Sequence, residues 1–276
     1  MLKNIVSSFF IVLCIARGFA FSVMDNVGNG NKSALERAII SDHLNQISHE
    51  VLDYLILIGD GTSFDEDKAE IKAFMTQLEQ RRPRFKTDAK FLEYVFYKVH
   101  QKYLKRYEKL TSFSDIVERG RYNCLTATAY YAIILDHFGY HYELIEMPHH
   151  IYLKLALDTH DLLIESTDPL NGFITDPNEI KLKLTSYLDH GLNADRAYSF
   201  ADFQRIDLYQ LIGLHYYNLA IKSYNLRDYK NAYMAVNKGL IFHKSDKMLE
   251  LLNAVLQASS LPLSDQLIIL QQIKIS

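Results

Sequence analysis

GRYNCLTATAYYAIIL, residues 120–135, is the stretch on which the fold turns. A loop of Gly120, Arg121 and Asn123 gives way to a run that is apolar on nearly every side. A helix without a polar stripe belongs at the centre of a domain, not on its surface. The run therefore predicts a buried helix from Asn123 to about Phe138, closed by Gly139, since glycine accepts the left-handed conformation that ends helices. Cys124 stands at its start, where first-turn N–H groups have no partner within the helix.

On the N-terminal side, apolar residues recur at helical spacing from Leu35 to about Ile58, from Asp65 to Gln80 and from Lys86 to Leu110. SDIVERG follows as a short helical turn, with Ser114 as its expected cap and Gly120 as its expected left-handed stop. On the C-terminal side the period changes. YELIEMP, HHIYLKLAL and DLLIES are rich in β-formers, and the last two predict an antiparallel hairpin turning near Asp158–His160. A loop-rich stretch runs on to about Ser199. Helical periodicity then resumes, and Leu219, Ala220, Tyr224, Asp228, Tyr229, Ala232 and Gly239 fit the spacing of a tetratricopeptide repeat. Further helices are expected at 247–256 and 264–273. The fold class expected is α+β: a helix bearing Cys124 packed on an antiparallel sheet, then an α-helical, repeat-like region.

The N-terminus stands apart. MLKNIVSSFFIVLCIARGFA has a basic start at Lys3, an apolar stretch over Ile5–Ala16, and small residues at Gly18 and Ala20. This is the pattern of a signal peptide over 1–20, followed by a flexible lead-in over 21–34. A domain at 35–199 and a helical region at 200–276 complete the expected organisation, with export to the periplasm or outside the cell. Cys14 carries a minor alternative, lipoprotein attachment, which the bulky Leu13 disfavours. With the leader removed, Cys124 is the one cysteine left and cannot form an internal disulfide, so its thiol needs either a packing or a chemical reason. The formal charge of −3 gives no footprint for nucleic acid or for a polybasic membrane patch. No integral span is expected after cleavage.

A thiol at a helix N-terminus is favoured as thiolate, the nucleophilic form. It needs a base, and PHHIYLKL supplies His149 and His150 at the start of a strand whose partner ends in IESTDP. Strand parity separates the carboxylates. If His150 faces Glu165, then Ile151 faces Ile164 and Leu153 faces Leu162, which gathers apolar side chains on one side. If His150 faces Asp168, Glu165 lands on the apolar side. Parity favours Glu165; Asp168 stays open as the alternative, because a bulge would overturn the register. His149 points the other way on a regular strand. For the same reason a metal site from His149, His150, His160 and Asp161 is disfavoured, and no metal or organic cofactor is implied.

The order of Cys124, then His150-Ile151-Tyr152, then Ile164-Glu165-Ser166-Thr167 resembles the transglutaminase-like, papain-related cysteine superfamily, over roughly residues 86–175. The resemblance implies Cys124 as nucleophile, His150 as general base and acid, and Glu165 as the orienting acid, although the family usually has Asp there. Tyr122 and Asn123 are candidates for substrate or oxyanion contacts. The expected activity is acyl transfer through a thioester on a peptide or protein substrate: with water a peptidase or amidase, with an amine a transglutaminase. The competing expectation is a binding or assembly protein, with this domain as scaffold and the C-terminal helices holding a protein partner.

Overall fold

In this computed structural model residues 30–44, 50–59, 63–158, 160–190, 199 and 202–259 are described. The expected leader, Cys14 and the expected helix at 264–273 lie outside them. In chain order come α1 (Gly30–Leu44), α2 (Val51–Leu57), α3 (Phe64–Arg81), α4 (Asp88–Lys102) and β1 (Arg106–Tyr107). Then follow α5 (Ser114–Arg119), β2 (Arg121–Tyr122), α6 (Cys124–His137), β3 (Tyr142–Met147), β4 (His150–Ala156), β5 (Asp161–Ile164) and β6 (Phe173–Ile174). The chain continues through α7 (Pro177–His190), β7 (Gln204–Ile206), α8 (Leu208–Asn225), α9 (Tyr229–Phe242) and α10 (Asp246–Ala258). The class is α+β. Among the described residues no helix is long and apolar enough to cross a membrane.

The chain divides into two units, one from Glu50 to His215 and the other joining the N-terminal segment to the residues from Tyr216 onward, so the division falls within α8. In the first, α6 is buried from Leu125 to Leu135. With no tryptophan in the chain, tyrosine and phenylalanine fill the space around it. Tyr131 stacks on Phe96 of α4 at 5.7 Å and donates its hydroxyl to the Phe96 carbonyl at 3.0 Å. Tyr130 packs against Tyr103 at 5.0 Å and Phe113 at 6.0 Å.

The five-stranded sheet has the order β6-β5-β4-β3-β7, with every pair antiparallel. One face carries Ile145, Met147, Tyr152 and Leu163, which cluster with Ile180 and Tyr187 of α7. The alternate residues Leu144, Leu153, Leu155, Leu162 and Ile164 are buried as well. Where both sides of the sheet are covered, consecutive strand residues are apolar and buried, as in Ile151–Leu153 and Leu162–Ile164.

Five expectations change. The helix expected to reach Leu110 ends at Lys102, because Arg106–Tyr107 pairs in parallel with Arg121–Tyr122. Ser114 does not cap α5; Phe113 holds that position, and the Ser114 hydroxyl donates instead to the Ile56 carbonyl at 3.0 Å. The segment after Gly172 contains α7, and β7 extends the sheet beyond the boundary expected near residue 200. Residues 30–34 of the expected lead-in are helical: α1 groups with the C-terminal helices, where Glu36 receives the Tyr216 hydroxyl at 2.7 Å and Lys238 at 2.8 Å.

In the second unit Ala220, Ala235, Val236 and Leu240 pack with Met248, Leu252 and Leu256. The helices approach closely at Gly239, where a Cβ would meet the Met248 methyl at 2.7 Å and Tyr216 Cβ at 3.2 Å.

Candidate active site

Cys124 owes its position to the residue before it. Asn123 Oδ1 accepts the Thr126 N–H at 2.8 Å, and Thr126 Oγ1 accepts the Asn123 N–H at 2.9 Å, a reciprocal capping box that starts α6 at Cys124. Asn123 Nδ2 donates to the Lys109 carbonyl at 3.0 Å. One turn along the same face, Thr128 Oγ1 lies 3.0 Å from Ser166 Oγ and 3.4 Å from the Ile151 carbonyl, while Ser166 Oγ reaches the Cys124 carbonyl at 3.4 Å. Buried hydroxyls thus pin the first turn of α6 to β4 and to the end of β5. Asn123→Ala removes the cap and orphans the Lys109 carbonyl, and is expected to cost about 1–2 kcal/mol in denaturant melts.

His150 opens β4. β3 and β4 are joined by the two residues Pro148 and His149, with Met147 paired to His150. His149 therefore sits on the turn and is exposed, while His150 takes the first rung of the ladder.

Glu165 follows β5, and its side chain is 2% exposed. Its Oε2 lies 2.6 Å from His150 Nε2 and also receives the Tyr187 hydroxyl. Oε1 accepts the Thr167 N–H at 3.0 Å and the Thr167 hydroxyl at 2.5 Å. The pairing that delivers Glu165 differs from the one expected. Leu153 faces Ile164 and Leu155 faces Leu162, because the turn closes between Leu157 and His160, one residue further along than the expected register requires. A turn displaced by one residue moves every partner by two, and two is the side-chain period of a strand. His150 and Glu165 keep a common face and meet diagonally. Asp168 is elsewhere: its Oδ1 accepts the Leu170 N–H at 3.3 Å and the Asn171 N–H at 2.9 Å, closing the turn after Glu165.

The charges follow from these contacts. Burial works against a charge on His150, but hydrogen bonds to Cys124 and Glu165, with their negative charge, outweigh it and raise its pKa to about 9. Burial likewise opposes the Glu165 charge, and His150, Thr167 and Tyr187 together bring it down to about 2. Near neutral pH the pair is therefore imidazolium and carboxylate. An ionised carboxylate only accepts, so His150 Nε2 carries a proton and Nδ1 is the nitrogen left for the Cys124 sulfur. His150 thus stands between two partners, Glu165 at 2.6 Å on Nε2 and Cys124, both of which favour its protonated form.

No family model, curated protein or solved structure matches the chain.

The remaining candidates are placed differently from expectation. The Asn123 side chain is consumed by the cap and by Lys109, so it is not free to hold an oxyanion. Tyr122 lies in β2 and is 6% exposed, edge-on to His100 at 6.4 Å and to Tyr107 at 5.9 Å. Tyr107, which sequence reading passed over, is half-exposed, and partial burial, with Cys124, Tyr122 and Glu165 in support, raises its phenol above the usual range. His100 and His215 are buried and kept neutral by desolvation, at about 4 and about 3. They pack against aromatic rings, His100 on Phe96 and His215 on Phe113. An open groove of about 900 Å³ along α4, lined by Phe85, Tyr94 and Tyr97, includes none of Cys124, His150 and Glu165.

Tyr187 is the functional contact sequence reading missed. A signal for its helix exists. Asp176 precedes Pro177 and accepts the Asn178 and Glu179 N–H groups at 2.8 and 3.0 Å, and Ile180, Leu184 and Tyr187 recur at helical spacing.

Proposed function

We propose that this chain is an exported cysteine-dependent acyl-transfer enzyme of the transglutaminase-like, papain-related kind, working as a peptidase or amidase. The observation that carries the reading is the His150 Nε2 to Glu165 Oε2 contact of 2.6 Å, on an imidazole whose other side meets Cys124. Cys124 Sγ attacks the carbonyl carbon of an amide, and the C=O electron pair moves to oxygen. The first-turn N–H groups of Cys124 and Leu125, which the capping box does not engage, are the candidate donors to that oxyanion. As the intermediate collapses, the C–N bond breaks and the His150 imidazolium gives its proton to the departing amine, leaving a thioester. His150, now neutral, takes a proton from water as it attacks; the C–S bond breaks, the acid is released and the thiolate returns. An amine in place of water gives transamidation by the same steps. Glu165 holds the ring and its charge throughout.

Incubation with p-nitrophenyl acetate tests this. Cys124 is expected to gain one acetyl group, located by peptide mass spectrometry, with Cys124→Ser unlabelled and His150→Ala slowed by about a hundred-fold or more. Acetylation elsewhere, or at Cys124 with no dependence on His150, would sink the reading. The competing reading is a binding protein that holds a partner through α8–α10. Under it, Cys124→Ser would leave capture of a protein partner by the full chain intact.

A further inference from the structure

We infer that Tyr187 is a positioning residue for this site: its phenol locks Glu165 into the orientation that holds His150 toward Cys124. The inference rests on the acyl-transfer reading for its purpose, but the contacts are independent of it.

A carboxylate offers about four lone-pair sites. At Glu165 each has its own donor: the Thr167 N–H and hydroxyl at Oε1, His150 Nε2 and the Tyr187 hydroxyl at Oε2. Three of these donors are neutral and fix the plane of the group; the fourth is the imidazole. With every site filled, the carboxylate cannot turn away from His150 without breaking bonds in a nearly dry interior, where each is costly to lose. Thr167 is two residues from Glu165 and moves with it. Tyr187 comes from α7, a separate element, so it ties the acid to the scaffold.

The same ring covers the histidine. Tyr187 lies tilted over His150 with centroids 5.2 Å apart and stacks on Tyr152 at 5.2 Å. It is 6% exposed, which keeps bulk water off that side of the ion pair. Burial and the neighbouring Glu165 charge push its own ionisation far above the ordinary phenol range, so it stays a donor across any working pH. Phenylalanine would keep the ring contacts and lose only the hydroxyl.

Tyr187→Phe tests the assignment in the full chain, with the rate of Cys124 alkylation by iodoacetamide against pH as the readout. The rate near pH 6 is expected to fall roughly five- to tenfold, one charge-assisted hydrogen bond's worth. The acid limb should move to higher pH, because a carboxylate with one donor fewer is protonated more readily. In a Glu165→Gln background the same change should have no further effect, since a residue acting through Glu165 has nothing left to act on. A purely structural role would lower the melting temperature but leave the pH profile in place. If Tyr187→Phe alkylates at the wild-type rate while His150→Ala is slow, or if its effect adds fully to Glu165→Gln, the positioning role is wrong. If His150→Ala also alkylates normally, it is the acyl-transfer reading that falls.

Discussion

Replacing His150 by alanine is expected to slow alkylation of Cys124 by iodoacetamide by on the order of thirty- to a hundredfold near pH 6, read at the Cys124 peptide by mass spectrometry. An unassisted thiol ionises near pH ~8.5, so under about 1% of it is thiolate at pH ~6. In the intact site an imidazolium stands beside the sulfur, and Glu165 keeps that imidazolium charged up to about pH 9. Removing the ring removes the cation and leaves Glu165 as a buried anion, which works against a second negative charge nearby. Wild-type reactivity in the alanine variant would mean that the cap and helix terminus alone sustain the nucleophile. The linkage has a definite sign. The folded pKa of His150 lies above the ordinary value of 6.5, so the stability it lends is complete below that value and is lost as pH rises through about 9. Glu165 is depressed from 4.5 to about 2, so its contribution is complete above 4.5 and lost as pH falls through about 2. Acyl transfer needs the His150 proton at the leaving group, and its rate should decline along the same upper limb.

How much of this was legible before the structure depends on the range of each signal. α6 was legible because its signals are local: a capping residue, an unbroken apolar run and a glycine stop, at Asn123, Leu125–Leu135 and Gly139. The diagonal meeting of His150 and Glu165 was legible in part. Strand parity depends only on odd and even numbering, so it chose the face correctly, but the register depends on where the turn closes; the turn expected near Asp158–His160 does close there, between Leu157 and His160, and it sets a register two residues beyond the one drawn from a direct His150–Glu165 pair. The β1–β2 pairing was not legible, since two-residue strands carry no period and their partner lies fifteen residues away. β7 escaped for a similar reason: of Gln204, Arg205 and Ile206 only Ile206 is buried, so the segment shows little of a strand's alternation. Tyr187 is the instructive failure. Its helix has a cap and an apolar stripe, yet its role exists only because α7 folds over the sheet face that carries His150, and sequence spacing does not encode that contact.

Gly172→Ala should have the other large effect, and it separates space from backbone strain. Gly172 closes the loop that leaves Glu165: its carbonyl accepts the Glu165 N–H at 2.7 Å, and its own N–H donates to the Asp168 carbonyl at 2.9 Å. A Cβ at this position would overlap the carbonyl oxygens of both Glu165 and Asp168 and press on the Phe96 ring at 3.0 Å. Both carbonyls belong to backbone held by hydrogen bonds, so neither can yield as the tip of a flexible side chain would. Overpacking of this kind costs roughly 1–3 kcal/mol and more where backbone must move. At ~2–4 °C per kcal/mol for a unit of this size, the melting temperature should fall by about 2–12 °C. Gly139 supplies the contrast: its φ is +71° but nothing lies within 4 Å of an added Cβ, so Gly139→Ala meets only conformational strain, about 1 kcal/mol. The two variants should also differ at the thiol. Displacing the loop at Gly172 carries Glu165 away from His150 Nε2, lowers the imidazole's hold on its proton and slows alkylation of Cys124, whereas Gly139→Ala at the far end of α6 leaves that rate unchanged. A Gly172→Ala protein that melts and alkylates like wild type would show that the loop yields without moving the carboxylate; a loss of stability with normal alkylation would separate the packing of the loop from the orientation of Glu165.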